Sequence, residues 1–218
     1  KSNDEAILIA EFVRFLKKDV GYINGLIRVL DEICPEGKKE EKKIIKNLIE
    51  HLEWIGQLSD ELSWFSQPFK KEEGLTDAAY LLEKVVGEFK DSSAAKNVKI
   101  SVDITEKIPE ATIPEAHLKT VFTEIIKNSL DAMPHGGLLT IKIERLPMEG
   151  IVIEFSDTGR GIPAHLIEKI MKPFFSTKKK IGFGLGMTRV RKILDAYGYR
   201  LTISSEEDKG TTVKITGI

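Results

Sequence analysis

Glycine is distributed unevenly along the 218 residues of this chain, and this unevenness limits the folds open to it. Six of the 17 glycines precede residue 134, and 11 follow it. Glycine weakens helix interiors and serves in tight turns and close backbone approaches, so the front should be largely helical and the back rich in turns. We therefore expect two parts of different architecture.

The front part has the apolar pattern of a helical hairpin. Apolar residues recur at three- and four-residue steps over 8–33 and again over 45–65, which is the spacing of one helical face. Pro35 and Gly37 separate the two stretches. Two such helices cannot cover both stripes against each other alone, so we expect a homodimer with a four-helix bundle. The alternative is that the hairpin packs on the chain's own second part.

The back part alternates strand-like and helix-like stretches. The Pro, Gly and charges of residues 66–74 predict a linker, and Thr76 is the expected N-cap of the helix that follows. A short helix is predicted after Pro163. The class predicted is α+β, with a hairpin over 1–70 and an α/β domain over 75–218. Further helices are expected over 114–133 and 186–197, and strands over 97–104, 138–146, 151–156, 201–205 and 211–215.

Composition narrows the functional classes. The 33 basic and 34 acidic residues nearly cancel, which argues against nucleic acid as the main partner. No apolar run approaches the roughly 20 residues of a membrane helix, so no span is expected in this chain. The start of the sequence lacks the pattern of a signal peptide. A single cysteine, Cys34, cannot form an internal disulfide and favours a cytoplasmic location.

A first candidate motif is VFTEIIKNSLDAMPHGG, residues 121–137. Glu124, Asn128 and Asp131 stand at i, i+4 and i+7 and therefore share one helical face. Their hard oxygen atoms suit Mg²⁺, with phosphate oxygens completing its shell. Taken alone, the motif is more typical of the solvated polar face of an amphipathic helix.

A second candidate is Asp157-Thr158-Gly159-Arg160-Gly161, which follows a predicted strand directly. Glycines there let the backbone approach a flat ligand, and the carboxylate can accept a hydrogen bond from an exocyclic amino group such as that of adenine. The alternative is a plain turn.

Two further motifs are weaker. Gly182, Gly184 and Gly186 open a predicted helix and follow the lysines of 178–180, which suits phosphate binding at a helix N-terminus. The spacing is neither the dinucleotide fingerprint nor a P-loop. The last motif, residues 210–212, is a Gly-Thr-Thr turn that a hairpin glycine explains fully.

In order and spacing the four motifs together resemble the N, G1, F, G2 and G3 boxes of the ATP-binding domain shared by sensor histidine kinases, DNA gyrase, Hsp90 chaperones and MutL proteins. The resemblance covers residues 75–218 and implies a Bergerat-type α/β sandwich that binds ATP (or ADP) and Mg²⁺. It implies that Asp157 binds the adenine amino group and that Asn128 holds Mg²⁺, which Glu124 joins directly or through water. Gly159 and Gly161 would shape the adenine pocket.

The same resemblance assigns the phosphate end of the site. Gly182, Gly184 and Gly186 would bound a lid and cradle the phosphates, with Lys178 and Leu185 in the same nucleotide-binding stretch.

Three remaining residues concern the base and the lid. Thr211 would reach the base through water. Phe174 and Phe175 would lie at the hinge of the lid, although a core role explains these aromatics equally well.

A hairpin before an ATP-binding domain is the arrangement of sensor histidine kinases, which implies a homodimer and a response regulator or other signalling partner. The family's phosphoacceptor motif fails here. Arg14 occupies the place of the acceptor histidine, and Phe15 that of its acidic neighbour. Arginine stays protonated and is no nucleophile, and phenylalanine cannot accept a proton. His51, on the second helix, is the only histidine of the hairpin.

Three functions therefore remain open. The first is an atypical histidine kinase-like phosphotransferase that labels a partner or a separate segment. The second is a signalling pseudokinase that binds nucleotide without transferring phosphate. The third is a gyrase- or MutL-type ATPase in which Glu124 activates water, and the absence from this sequence of a following transducer domain counts against it.

Overall fold

The computed structural model describes residues 2–35, 38–67, 69–90, 97–104, 108–146, 150–175 and 184–217. The chain divides into two compact units, Lys1–Pro68 and Phe69–Ile218.

The first unit is the predicted helical hairpin. Helix α1 spans Ser2–Ile33 and helix α2 spans Lys39–Ser66, with Pro35 in the break between them. An apolar cluster of Ile27, Ile45 and Leu52 joins the two helices. Many other large apolar side chains of the hairpin remain exposed, because one partner helix covers only one narrow stripe.

The second unit is a sheet covered by helices, as the predicted α/β layers require. The elements are helices α3 (Ala78–Lys90), α4 (Glu115–Ala132) and α5 (Gly186–Tyr197), and strands β1 (Val98–Ile104), β2 (Gly137–Leu146), β3 (Gly150–Asp157), β4 (Arg200–Glu206) and β5 (Gly210–Thr216). The strands lie in the order β1-β2-β3-β5-β4, and among these described strands only β1 and β2 run parallel.

Strand β3 is the centre of this sheet and carries much of its core. It pairs with β2 on one side and β5 on the other, and its residues 151–153 are almost fully buried. Phe155 on β3 contacts Phe122 of α4, with ring centroids 5.9 Å apart. The apolar face of α4 is therefore fixed against the sheet, which leaves its polar face directed away from the core.

Two local expectations were wrong. Asp77, rather than Thr76, caps α3, because its carboxylate accepts a hydrogen bond from the Tyr80 N–H at 2.9 Å. Thr76 is instead paired with Ala111 in an isolated β-bridge, and its hydroxyl donates to the Ile113 carbonyl. After Pro163 the chain forms two short 3₁₀ turns in place of the predicted helix, Ala164–Leu166 and Lys169–Met171.

Candidate functional site

Asp157 is the last residue of the central strand and only 8% exposed. Its Oδ1 accepts hydrogen bonds from the N–H groups of Gly159, at 2.9 Å, and Thr211, at 3.2 Å, and the Ser129 hydroxyl also donates to the carboxylate. Burial raises the pKa of Asp157, and these hydrogen bonds oppose the rise. The carboxyl group is therefore held in one orientation at the end of β3.

The backbone around Asp157 is packed too closely for side chains. A Cβ on Gly159 would lie 2.7 Å from the Cβ of Ala132, and one on Gly161 would overlap the Glu206 carbonyl oxygen. Gly161 also has φ of +64°, which favours glycine. The turn after β3 thus brings the backbone against the end of α4 and the β4–β5 turn, which is the close approach that a flat base requires.

The polar face of α4 lies beside this turn. Glu124, Asn128 and Asp131 are all half-buried, and the neighbouring Ser129 connects this face to Asp157. Asn128 Nδ2 is buried and has no hydrogen-bond partner in the described part of the chain. Rotation of the amide exchanges its oxygen and nitrogen, so this position can offer either a ligand to Mg²⁺ or a donor to phosphate.

The N-terminus of α5 faces the same part of α4. A Cβ on Gly186 would lie 2.5 Å from Glu124 Oε2 and 3.8 Å from Asn128 Nδ2. Leu185, the buried N-cap, has no side-chain oxygen, so it leaves the first N–H groups of α5 without a side-chain cap. Such a terminus suits an anion.

The hinge side of this region is also tightly packed. Gly184 has φ of +68°, and a Cβ there would lie 2.5 Å from the Phe175 carbonyl oxygen. Phe175 is half-buried, whereas Phe174 is exposed with φ of +64°. Lys178 and Gly182 lie outside the described residues.

ATP and Mg²⁺ fit the residues that are present. The end that the resemblance assigns to adenine offers a fixed carboxylate, and the end that it assigns to the phosphates offers a buried amide and an uncapped helix N-terminus. In the described ranges no cluster of three or more His, Cys, Asp or Glu residues forms a metal cage. Mg²⁺ commonly binds through one or two protein ligands and substrate phosphates, so this donor set is adequate.

The hairpin residues singled out from sequence are both solvent-exposed. Arg14 lies on α1 and His51 on α2. His51 Nδ1 lies 2.7 Å from the Asn47 carbonyl oxygen, one turn earlier. Because a carbonyl oxygen can only accept, Nδ1 is the donor of this bond. The side chain of Phe15 is outside what the structure describes.

Sequence reasoning missed several residues of the second unit. Ser129 is a buried residue within the apolar face of α4. A hydroxyl at such a position needs a hydrogen-bond partner, so its place in the pattern could have marked it as a candidate site residue. Arg189 forms an ion pair with Glu124 at 3.2 Å. The only sign of this role in the sequence was a charged residue in the first turn of a helix that begins with glycine. His117 was not singled out either, and its Nδ1 lies 2.8 Å from the Tyr197 hydroxyl.

Tyr197 also anchors the segment that precedes α3. Its hydroxyl accepts from the Glu72 N–H at 3.1 Å, and its ring meets that of Phe69 edge to face at 6.1 Å between centroids. Phe69 and Glu72 of the predicted linker therefore make ordered contacts within the second unit. No helix among the described residues is long and apolar enough to cross a membrane.

Most of the residues described above lie in a segment that is similar to a known family. Residues 113–216 match the family model described as histidine kinase-, DNA gyrase B-, and HSP90-like ATPase. Sporulation kinase D of Bacillus subtilis (strain 168) is 28% identical over 211 residues, which cover 96% of this chain and 41% of that protein. The chain spans less than half of the length of the curated relatives it matches.

Solved structures share the fold over nearly the whole chain. Full-length ShkA in complex with AMPPNP has a TM-score of 0.76 at 16% identity, covering 96% of this chain and 45% of that one. Histidine kinase ThkA in complex with the response regulator TrrA has a TM-score of 0.66 at 20% identity, covering 99% and 63%. Over residues 113–216 the chain is therefore similar to the histidine kinase-, DNA gyrase B- and HSP90-like ATPases, and over most of its length it is similar to Sporulation kinase D.

Proposed function

We propose that this protein is the ATP- and Mg²⁺-binding core of a two-component-type sensor histidine kinase with an atypical phosphoacceptor. Residues 1–70 would form the dimerisation hairpin and residues 75–218 the ATP-binding domain. The observation that carries the proposal is the buried Asp157, fixed by Gly159 and Thr211 at the end of the central strand. A carboxylate held in this way can accept a hydrogen bond from the adenine amino group.

The phosphate end is assigned to α4 and α5. Asn128 would hold Mg²⁺, with Glu124 nearby, and the N–H groups that begin at Gly186 would bind phosphate oxygens. When bound, Mg²⁺ supplies positive charge that offsets the charge of the phosphates. Lys178 and Gly182 are proposed to complete the lid.

The phosphoacceptor is proposed to lie elsewhere than at Arg14. A guanidinium stays protonated and cannot attack a γ-phosphate, so transfer would go to a partner protein such as a response regulator, to a separate segment, or to His51. Arg14 equally favours the second candidate function, a pseudokinase that binds nucleotide and regulates a partner. The ATPase alternative requires Glu124 to act as a base, and its ion pair with Arg189 disfavours that role.

The hairpin is proposed to form a homodimer. Large apolar side chains on both helices are exposed in the single chain and would be covered in a four-helix bundle. These residues are Tyr22, Ile23, Leu26, Val29, Leu30, Ile33, Ile44, Leu48 and Trp54. A cytoplasmic location is proposed to accompany this role.

The test is incubation with γ-labelled ATP and Mg²⁺, with separate measurement of labelled protein and free phosphate. Nucleotide binding that is lost in Asp157→Ala would support the central claim. Acid-labile label that disappears in His51→Ala would identify that histidine as the acceptor and exclude the pseudokinase. Free phosphate without labelled protein, abolished in Glu124→Ala, would favour the ATPase. A parent protein that binds no nucleotide would contradict all three functions.

A further inference from the structure

An ion pair connects α4 and α5 beside the residues assigned to the phosphates. Arg189 Nη1 lies 3.2 Å from Glu124 Oε1, and the two side chains are 18% and 21% exposed. Because both groups are largely withdrawn from water, salt screens their interaction less than it screens surface pairs.

The pair also fixes where the second oxygen of Glu124 lies. Oε2 is 2.5 Å from the point where a Cβ of Gly186 would stand, so the carboxylate occupies the space that this glycine leaves open. That space adjoins the first residue of α5, whose N–H groups are proposed to bind phosphate. An uncompensated carboxylate there would repel a phosphate chain.

We propose that Arg189 is a positioning residue of the nucleotide site: it holds and neutralises Glu124 at the N-terminus of α5, so that a nucleoside di- or triphosphate can bind there. This inference rests on the proposed function. With Arg189 present, the pair has no net charge, and Mg²⁺ has only the phosphates to offset. Without it, the site carries one more negative charge, and binding should depend more strongly on Mg²⁺.

A purely structural role for the pair would give different results. A clamp between α4 and α5 would lower the melting temperature when either partner is replaced. It would leave the ratio of nucleotide affinities with and without Mg²⁺ unchanged. The ratio, rather than the affinity alone, therefore distinguishes the two roles.

The experiment measures the Kd of ADP and of a non-hydrolysable ATP analogue by calorimetry, in EDTA and in Mg²⁺. Arg189→Met should weaken binding about tenfold in EDTA, equivalent to about 1.4 kcal/mol, and clearly less in Mg²⁺. Arg189→Lys should restore most of the affinity. Combining Arg189→Met with Glu124→Gln removes the unpaired carboxylate and should return the Kd in EDTA to within about threefold of the parent.

The matched control is Arg191→Met, which removes the same charge from the same helix. Arg191 is 57% exposed and pairs with Asp195 at 3.4 Å, so its loss should change either Kd by less than about twofold. If Arg189→Met does not fold, the double variant and Arg189→Lys provide the same comparison.

The inference is overturned if Arg189→Met lowers the melting temperature but shifts the two affinities equally, or not at all. It is also overturned if the double variant binds no better than Arg189→Met. If the parent protein binds nucleotide and Asp157→Ala does not, the proposed function stands regardless of the results for the Arg189 variants. A parent that binds no nucleotide overturns the proposed function and this inference with it.

Discussion

Replacing Asp157 by asparagine should strongly weaken recognition of adenine and yet stabilise the protein without nucleotide. The Oδ1 atom already accepts from the N–H groups of Gly159 and Thr211, so an asparagine oxygen can keep those two bonds. The side-chain NH₂ group of the asparagine would then face the adenine amino group. Both groups are hydrogen-bond donors, so no hydrogen bond forms between them. Losing a charge-assisted hydrogen bond and burying unpaired donors costs about 3 kcal/mol, a weakening of ATP binding of about 150-fold.

The effect on stability has the opposite sign and depends on pH. Burial raises the pKa of Asp157 above its unfolded value of about 3.9. The folded protein thus holds this proton more tightly, and that contribution stabilises at low pH and is lost as pH rises through the raised folded pKa. The Asp157→Asn variant has no charge to bury at this position. The difference between its melting temperature and that of the parent should therefore increase as the pH rises from about 4, and then level off.

Calorimetric titration with ATP and GTP, and thermal melts from pH 4 to pH 8, would test both effects. Guanine has an acceptor oxygen where adenine has its amino group, so the preference for ATP over GTP should fall in Asp157→Asn. Asp103→Asn, an exposed position on β1, is the matched control and should change neither property. The reasoning is refuted if Asp157→Asn binds ATP within about threefold of the parent, or if its melting advantage shrinks as pH rises.

Three other perturbations have expected outcomes. Gly161→Ala, which forces a Cβ into the Glu206 carbonyl oxygen at φ +64°, should cost about 3 kcal/mol of unfolding free energy by denaturant titration. Gly87→Ala is its control: nothing lies within 4 Å of the added Cβ inside α3, so it should stabilise by about 0.5–1 kcal/mol. Phe122→Ala should cost about 3–5 kcal/mol, and a loss under 1 would contradict its assigned place in the core. Leu26→Glu should convert dimers to monomers in light scattering, and unchanged dimers would refute the hairpin interface.

Local periodicity explains which parts of this fold were predictable. Both long helices and all five strands follow from apolar spacing and turn residues, and helix α5 begins and ends at the predicted residues, Gly186 and Tyr197. These features depend on neighbours a few residues away. The cap of α3 was mispredicted because Thr76 and Asp77 are both good caps, and only the distant bridge to Ala111 engages Thr76 elsewhere.

The contacts between residues of the candidate site were harder to predict from the sequence. The residues of its motifs could be named, but the partner of Glu124 is Arg189, which is 65 positions later in the chain. His117 likewise meets Tyr197 across 80 positions. No short-range pattern encodes such pairs, because packing of whole helices brings them together. The order of the strands, with β5 beside β3 and β4 at the edge, is a long-range property of the same kind.

The central position of β3 has a consequence for hydrogen exchange and for ligand-linked stability. Amides of a strand that is paired on both sides exchange mainly through global unfolding, whereas edge strands also open locally. Asp157 and the Thr211 N–H that binds it lie on β3 and β5, so the proposed adenine contact belongs to the part of the domain that is expected to be most protected. Nucleotide binding should therefore slow exchange at β3 by the full binding free energy, and the protection of this strand would report occupancy of the site.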